Sequence, residues 1–208
     1  MSKNTSTLST DHQALIAQGI VNAPDSAKGR LLQAAATLFK EKGYERTTVR
    51  DLANEVGIQS GSIFHHFKTK EEILKAVMEE AIRYNTERMK RALSNSETTR
   101  EKLLELIKCE LTSITGFTGE AMSVLVYEWR SLSDESQAHI LALRDIYEQL
   151  WLDVLNKAKQ DGLIKGDTFI LRRFLTGALS WTTTWFDERG GMSIDDLAEQ
   201  ALLLALKS

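Results

Sequence analysis

Apolar positions along this chain recur with the period of a helix almost throughout. Leu31, Leu32, Ala35, Ala36, Leu38 and Phe39 follow at i, i+1, i+4, i+5, i+7 and i+8, one face of a helix that stops at Gly43. Thr48 and Asp51 make a T-x-x-D capping box, the hydroxyl accepting from one orphan N–H and the carboxylate from another. The box predicts a short helix over Val49–Glu55. Val56-Gly57-Ile58-Gln59 then turns the chain, glycine supplying the left-handed conformation that a tight helix–helix turn needs. A second short helix is predicted at about Ser60–His66, with Ile63 and Phe67 docking inward. Thr69 and Glu72 form another box ahead of a long helix, Lys70 to about Ala92, that buries Ile73, Leu74, Val77, Ala81 and Ile82.

The same punctuation continues to the C-terminus. Thr98 and Glu101 cap a helix carrying Leu103, Leu104, Ile107, Leu111 and Ile114 on one stripe. Gly116 and Gly119 interrupt the chain before a helix of about Glu120–Leu132, and Ser133 starts a long one ending near Gly162. Asp167 caps Thr168–Glu188, which Gly190 and Gly191 stop. Ser193 and Asp196 cap the last helix, ending at Leu206. No strand-length run alternates cleanly, and there is no internal repeat. The pattern predicts an all-α chain in three parts. Residues 1–24 form a polar, mobile arm with a short helix around Gln13–Ile20. Residues 25–75 form a small three-helix head, and residues 76–208 a larger helical body.

Composition narrows the function classes. With 42% hydrophobic and 26% charged residues, the chain of 208 is not disordered wholesale. No apolar run reaches the roughly 18 residues of a membrane span, and the N-terminal stretch lacks the continuous apolar core of a signal peptide. A cytoplasmic location with no membrane partner is the expectation. One cysteine, Cys109, cannot close an internal disulfide, and four scattered histidines with one thiol make no zinc set. No metal and no cofactor are expected. Net charge is −3, unevenly placed: through Lys75 there are 10 Lys and Arg against 8 Asp and Glu, and beyond it 16 against 21. A polyanion partner suits the front of the chain only.

Two short helices joined by a glycine turn and braced by longer helices describe a helix-turn-helix. Its second helix must offer small or polar residues to a groove about 12 Å wide while the opposite face locks into the core. Ser60, Gly61, Ser62 and His65 are left facing outward, and Gly61 with the two serines keeps the rod slim. Thr47, Thr48, Lys68 and Lys70 stand at helix starts, where hydroxyls, ammonium groups and helix N-termini favour phosphate oxygens. His65 and His66, as neighbours about 100° apart on a helix, make neither a metal pair nor a catalytic dyad. His66 serves as a phosphate contact or a structural hydrogen-bonder.

The stretch Ala27–Val77 resembles the DNA-binding head of TetR-type transcriptional regulators. The resemblance lies in A-x-x-L-F-x-x-x-G-Y (Ala35 to Tyr44), T-T-V-x-D-L-A (Thr47 to Ala53) and G-S-I-F-H-H-F-x-x-K (Gly61 to Lys70). It covers about a quarter of the chain. It implies a homodimer whose recognition helices enter successive major grooves of a near-palindromic operator in double-stranded DNA. It also implies a helical body that binds an inducer. Thr48 and Lys70 match family positions that touch phosphate, and Ser60, Ser62 and His65 match the groove-facing set. Phe64 stands where the family often has a phosphate-reaching tyrosine; lacking the hydroxyl, it is expected against sugar or a thymine methyl.

In the body, an inducer cavity calls for apolar walls with a few polar groups. The candidates are Tyr84, Met89, Cys109, Phe117, Met122, Tyr127, Trp129 and Trp151, with Arg130 as the partner of an acidic group. Plain core is the competing assignment for the aromatics and methionines, and a solvated surface position for Arg130. Phe174, Gly177, Ala178, Trp181 and Trp185 fall at i, i+3, i+4, i+7 and i+11. They read as a dimer interface in which small residues permit close approach and tryptophans anchor. The segment Ala178–Ala198 is also similar to the C-terminal part of a TetR subgroup responsive to acyl-CoA esters, in which a W-x-x-x-W-aromatic helix ends in Gly-Gly. Thr184 departs from that pattern, where related proteins often carry a basic residue.

The expected function is a ligand-responsive DNA-binding regulator, a repressor released by a small hydrophobic, acyl-CoA-like inducer. Two rivals belong to other classes. An all-α enzyme on a hydrophobic acyl substrate would need a nucleophile–base pair, which neither Cys109 nor His139 supplies in sequence, so no catalytic residue is assigned. A helical adaptor without DNA binding would not need the turn glycine or the basic helix start.

Overall fold

A computed structural model describes residues 10–116 and 118–206. Within them lie ten α-helices and no strand: α1 Thr10–Ala17, α2 Ala27–Lys42, α3 Val49–Val56, α4 Ser60–Ile63, α5 Lys70–Ser94, α6 Thr99–Thr115, α7 Gly119–Tyr127, α8 Asp134–Gln160, α9 Thr168–Trp181 and α10 Ile194–Ala205. The caps read from the sequence set most of these boundaries. Thr48, Thr98 and Ser193 each accept from the N–H three residues on, and Asp51, Glu101 and Asp196 complete reciprocal boxes. Thr69, Ser133 and Asp167 cap α5, α8 and α9 in the same way.

Three elements are shorter than the pattern predicts. The recognition helix keeps α-geometry only over Ser60–Ile63, and turns carry the chain to Phe67. α7 ends at Tyr127, and a separate 3-10 turn holds Trp129–Ser131. α9 stops at Trp181, where the hydroxyls of Thr182, Thr183 and Thr184 each donate to the carbonyl three residues back and tighten the end into a 3-10 turn. Three consecutive threonines, β-branched and locally hydrogen-bonding, are poor continuers of a helix.

Two large cores share the molecule, and α5 threads between them. The first joins α2, α3 and α4 to the N-terminal half of α5 through Leu31, Phe39, Leu52, Ile63 and Ile73, and extends to Val124 and Leu125 of α7 and Ile140 of α8. The second fills the body with Met89, Ile107, Trp151, Leu175 and Leu202. The boundary expected at residue 75 thus falls inside α5. Within the segment expected to be a mobile arm, His12 and Leu15 of α1 are buried, and Leu15 packs with Val21 and Tyr84 in a third, small cluster on α5.

Between head and body run specific polar contacts. Thr37 Oγ1 on α2 donates to Glu120 of α7 at 2.6 Å, and the Tyr44 N–H donates to Glu128 at 3.1 Å. On the other side Glu71 of α5 accepts from the backbone N–H and hydroxyl of Ser133, at 2.9 and 2.6 Å. Those bonds hold its carboxyl below the ordinary range.

Candidate nucleic-acid interface and internal cavity

The head is built to present α4. α3 begins at the Thr48–Asp51 box and ends at Gly57, whose φ of 71° and ψ of 35° place it in the left-handed region. A side chain there would be strained, so the glycine fixes the turn that swings α4 away from α3. Ile63 is wholly buried and Phe67 nearly so; together they lock α4 onto the core. Gly61, Ser62, Phe64, His65, His66 and Lys68 face solvent, and Ser60 is half-buried at the start. Phe64 keeps 54% of its surface exposed. An aromatic ring left in water beside small polar groups suits contact with sugar or a base methyl.

Two candidate phosphate residues sit otherwise than the sequence suggests. Thr47 is wholly buried, its hydroxyl donating to the carbonyls of Gly43 at 2.9 Å and Leu38 at 3.3 Å. It ties the end of α2 to the start of α3, and a hydroxyl turned inward cannot meet a phosphate. Lys70 Nζ donates to the carbonyls of Tyr44 at 2.9 Å and Thr47 at 3.0 Å, and lies 4.1 Å from the centre of the Tyr44 ring. With two donors and the cation–π face engaged, Lys70 braces the loop that carries Thr48. Thr48 itself is exposed, but its hydroxyl is engaged in the cap, donating to Asp51 at 2.7 Å. The sequence reading passed over Arg50, exposed in the first turn of α3 beside Thr48. Its position two residues past a helix cap was the available signal.

The body holds a cavity of about 500 Å³ enclosed by α5 to α9. Ile82, Ile114, Met122, Leu125 and Trp129 give it apolar walls. Leu141 and Val126 stand at its solvent edge, both exposed. One wall is ionic. Arg172 of α9 is 98% buried, its Nε donating to Glu148 at 3.1 Å and its Nη2 to Glu110 at 3.4 Å. Glu110, also buried, accepts in addition from the Tyr147 hydroxyl at 2.9 Å and Trp151 Nε1 at 3.1 Å. Burial, reinforced by the Glu110 charge, pushes the Tyr147 hydroxyl well above its ordinary value, so it stays a donor.

Of the residues expected to line an effector site, Met122 and Trp129 line this cavity. Trp151 is wholly buried just behind, stacked under the Arg172 guanidinium at 4.3 Å. Tyr84 lines a different, smaller cavity of about 350 Å³ between the arm, α2 and α5. Met89 and Cys109 belong to the body core. Tyr127, the last residue of α7, is 80% exposed, and Arg130 in the turn that follows is exposed as well. Phe117 lies outside the described residues. Arg144, Arg172 and Arg173 line the cavity in place of Arg130, and of these Arg172 is buried; its signal was present in the pattern. Arg172 falls three and seven residues before Leu175 and Leu179, and Glu110 three after Ile107, so each charge sits on an apolar stripe.

On the far side of α9 the expected interface residues form an exposed apolar surface. Phe174, Trp181 and Trp185 face solvent, Gly177 and Ala178 between them are exposed, and a methyl group at Gly177 would meet nothing within 4 Å. Leu203 and Leu204 of α10 and Phe169 and Ile170 of α9 are exposed as well. Among the described residues no helix is long and apolar enough to cross a membrane.

Comparison with known proteins adds the following. Residues 31–77 match the family described as bacterial regulatory proteins, tetR family, and residues 96–208 match the tetracyclin repressor-like C-terminal domain. The HTH-type transcriptional repressor KstR2 of Mycolicibacterium smegmatis is 30% identical, over 88% of this chain and 90% of that protein. The fatty acid metabolism regulator protein of Bacillus subtilis is 28% identical, over 75% of this chain and 81% of its own. A solved chain described as the superantigen pfit is 62% identical, with a TM-score of 0.85 over 95% of this chain and 98% of that one.

Proposed function

The chain belongs to the TetR family of bacterial regulatory proteins, and from that premise we propose that it is a repressor, released from its operator when a small hydrophobic molecule fills the body cavity. The observation that carries the DNA reading is α4: a rod locked by Ile63 and Phe67, with Ser62, Phe64, His65 and His66 all turned to solvent. Backbone N–H groups at the start of α3, with Arg50 and Lys68, meet phosphates; Ser60, Gly61, Ser62 and His65 read the groove.

A second copy of the chain covers the Phe174–Trp185 face. Exposed Phe174 and Trp181 flanking a Gly-Ala pair, with Trp185 beyond, are the composition of an interface centre, and a monomer has no use for such a patch. Pairing sets the two α4 rods at about one helical turn, roughly 34–36 Å, for adjacent half-sites.

The effector acts through α7. One side of that helix, with Met122 and Leu125, lines the cavity, while Glu120 and Glu128 hold α2 and Tyr44 of the head. A ligand that shifts α7 therefore moves the head relative to its partner. The name of the Bacillus subtilis relative points to acyl compounds, and the cavity's apolar walls fit an acyl chain, supporting an acyl-CoA-like inducer.

Fluorescence anisotropy against the DNA flanking the gene tests the proposal. Tight binding to that DNA over an unrelated duplex is expected, with affinity falling steeply as salt rises. Ser62→Ala and His65→Ala are expected to change sequence preference, and Arg50→Ala to weaken all sequences alike and flatten the salt slope by about one. Equal, weak binding to every duplex would remove the regulator reading. It would leave open the role named for the 62%-identical chain, a superantigen, which requires no affinity for DNA.

A further inference from the structure

The ionic wall of the cavity carries information on what the cavity accepts. Arg172 directs Nε to Glu148 and Nη2 to Glu110, but its Nη1 is buried with no hydrogen-bond acceptor in the protein. On the same ion pair Glu148 Oε1 is buried with no donor in hydrogen-bond range; the nearest cation, Arg173 Nη1, is 3.6 Å away. A donor and an acceptor, both out of water and both unmet, are thus held on one ion pair in a cavity wall. Buried polar groups are costly in that condition and are usually completed.

The charges decide what completes them. Arg172 is already faced by two carboxylates, Glu110 and Glu148. The charged side chains lining the cavity already balance, Arg144, Arg172 and Arg173 against Glu110, Asp145 and Glu148; a ligand carboxylate would be a third negative group around the buried guanidinium, and an ammonium would meet Arg172 and Arg173. Resting on the reading of this cavity as the effector site, we propose that its inner end recognises an uncharged hydroxyl carried by the apolar part of the effector that lies inside the cavity. The hydroxyl oxygen accepts from Arg172 Nη1, and its hydrogen is donated to Glu148 Oε1. A hydroxyl is the smallest uncharged group that does both. Entry requires a side chain to give way. Arg173 lies beside Glu148 Oε1 and has room to move: half-exposed, stacked on Phe169 at 4.7 Å and 3.6 Å from that oxygen. The apolar remainder lies along Met122, Leu125 and Trp129.

Three probes with one skeleton and different ends test this: 4-phenylbutan-1-ol, 4-phenylbutanoate and butylbenzene, titrated at neutral pH into the full chain. Tryptophan fluorescence is the readout, since Trp129 lines the cavity and Trp151 lies under Arg172. The alcohol is expected to bind at least about tenfold more tightly than either analogue. Arg172→Met is expected to bring the alcohol down to the level of butylbenzene. Glu148→Gln, which keeps the shape and removes one negative charge, is expected to close the gap between alcohol and carboxylate. Should Arg172→Met fail to fold, Glu148→Gln decides alone. A carboxylate bound as tightly as the alcohol by the unaltered protein overturns the proposal; so does an unchanged ranking in Glu148→Gln, or no binding of any probe. DNA affinity of the same preparation, measured without probe, is independent of these outcomes, so failure here and failure of the regulator reading are told apart.

Discussion

Head and body differ in the buried charges they hold. In the head, polar groups serve the backbone nearby: buried Thr47 donates to the carbonyls of Gly43 and Leu38, and half-buried Lys70 to those of Tyr44 and Thr47. No buried ion pair lies among its core residues; Leu52, Ile63 and Phe39 pack against one another. In the body, Glu110, Glu148 and Arg172 join α6, α8 and α9 across sequence separations of 24 to 62 residues, and each needs the others. A part that must keep one shape to read DNA is held by packing and caps. A part that must answer a ligand keeps charges whose partners can be changed.

The largest expected effect breaks the body's side of that contrast. Glu110→Ala takes the acceptor from Tyr147 and Trp151 and leaves Arg172 with Glu148 alone. Removing one partner of a buried pair costs about 3–5 kcal/mol, read from the midpoint of urea unfolding. A loss under about 1 kcal/mol would mean that solvent reaches the pair and that the contrast is not real. The head's counterpart is Ile63→Ala, which opens a hole beneath α4 at a cost of about 2–4 kcal/mol. It is also expected to abolish specific DNA binding at temperatures where the body remains folded. Circular dichroism and anisotropy on one sample check both.

The same contrast explains what the sequence made legible. Caps, the turn glycine and the docking of Ile63 and Phe67 depend on residues within a few positions of each other, so the Thr48–Asp51 box and Gly57 were readable from spacing alone. The exposed Phe174–Trp185 surface followed from helical period in the same way. Burial direction at element ends was not readable. Thr47 and Thr48 are neighbours of one type; the first turns in to cap α2 while the second starts α3. The apolar stripes signal that Arg172 and Glu110 are buried but not which groups they pair with, because the partners of Arg172 lie 24 and 62 residues away on other helices. Arg172 and Arg173 show how little composition decides: successive helical positions point about 100° apart, so one arginine is buried and the next is half-exposed.

A smaller effect tests whether the two regions communicate through α7. Glu128 accepts from the Tyr44 N–H and lies beside Trp129, which lines the cavity. Glu128→Ala is expected to leave probe binding intact and DNA affinity within about threefold without probe. The coupling between the two is expected to fall by about 1–2 kcal/mol. Anisotropy titrations of DNA with and without 4-phenylbutan-1-ol measure this. Coupling that survives unchanged would route the signal through α5 instead.

The smallest effect separates the junction from the caps by pH. Glu80 on α5 lies under the arm, where the Asn22 N–H donates to it at 3.2 Å, and burial lifts its carboxyl above the ordinary 4.5. A raised folded-state value means that its contribution is present in full below 4.5 and is lost as pH rises through the folded value. Asp51 behaves oppositely. Hydrogen bonds from Thr48 lower its carboxyl below the ordinary 3.8, so its contribution is present above 3.8 and is lost as pH falls through the folded value. Thermal unfolding should therefore show the unaltered chain losing stability relative to Glu80→Gln as pH rises from 4.5 towards 7, the two being most alike at the low end where the carboxyl is protonated. Asp51→Asn should show no such slope in that window and should differ from the parent less and less below 3.8. If Glu80→Gln tracks the parent at every pH, the arm does not desolvate Glu80.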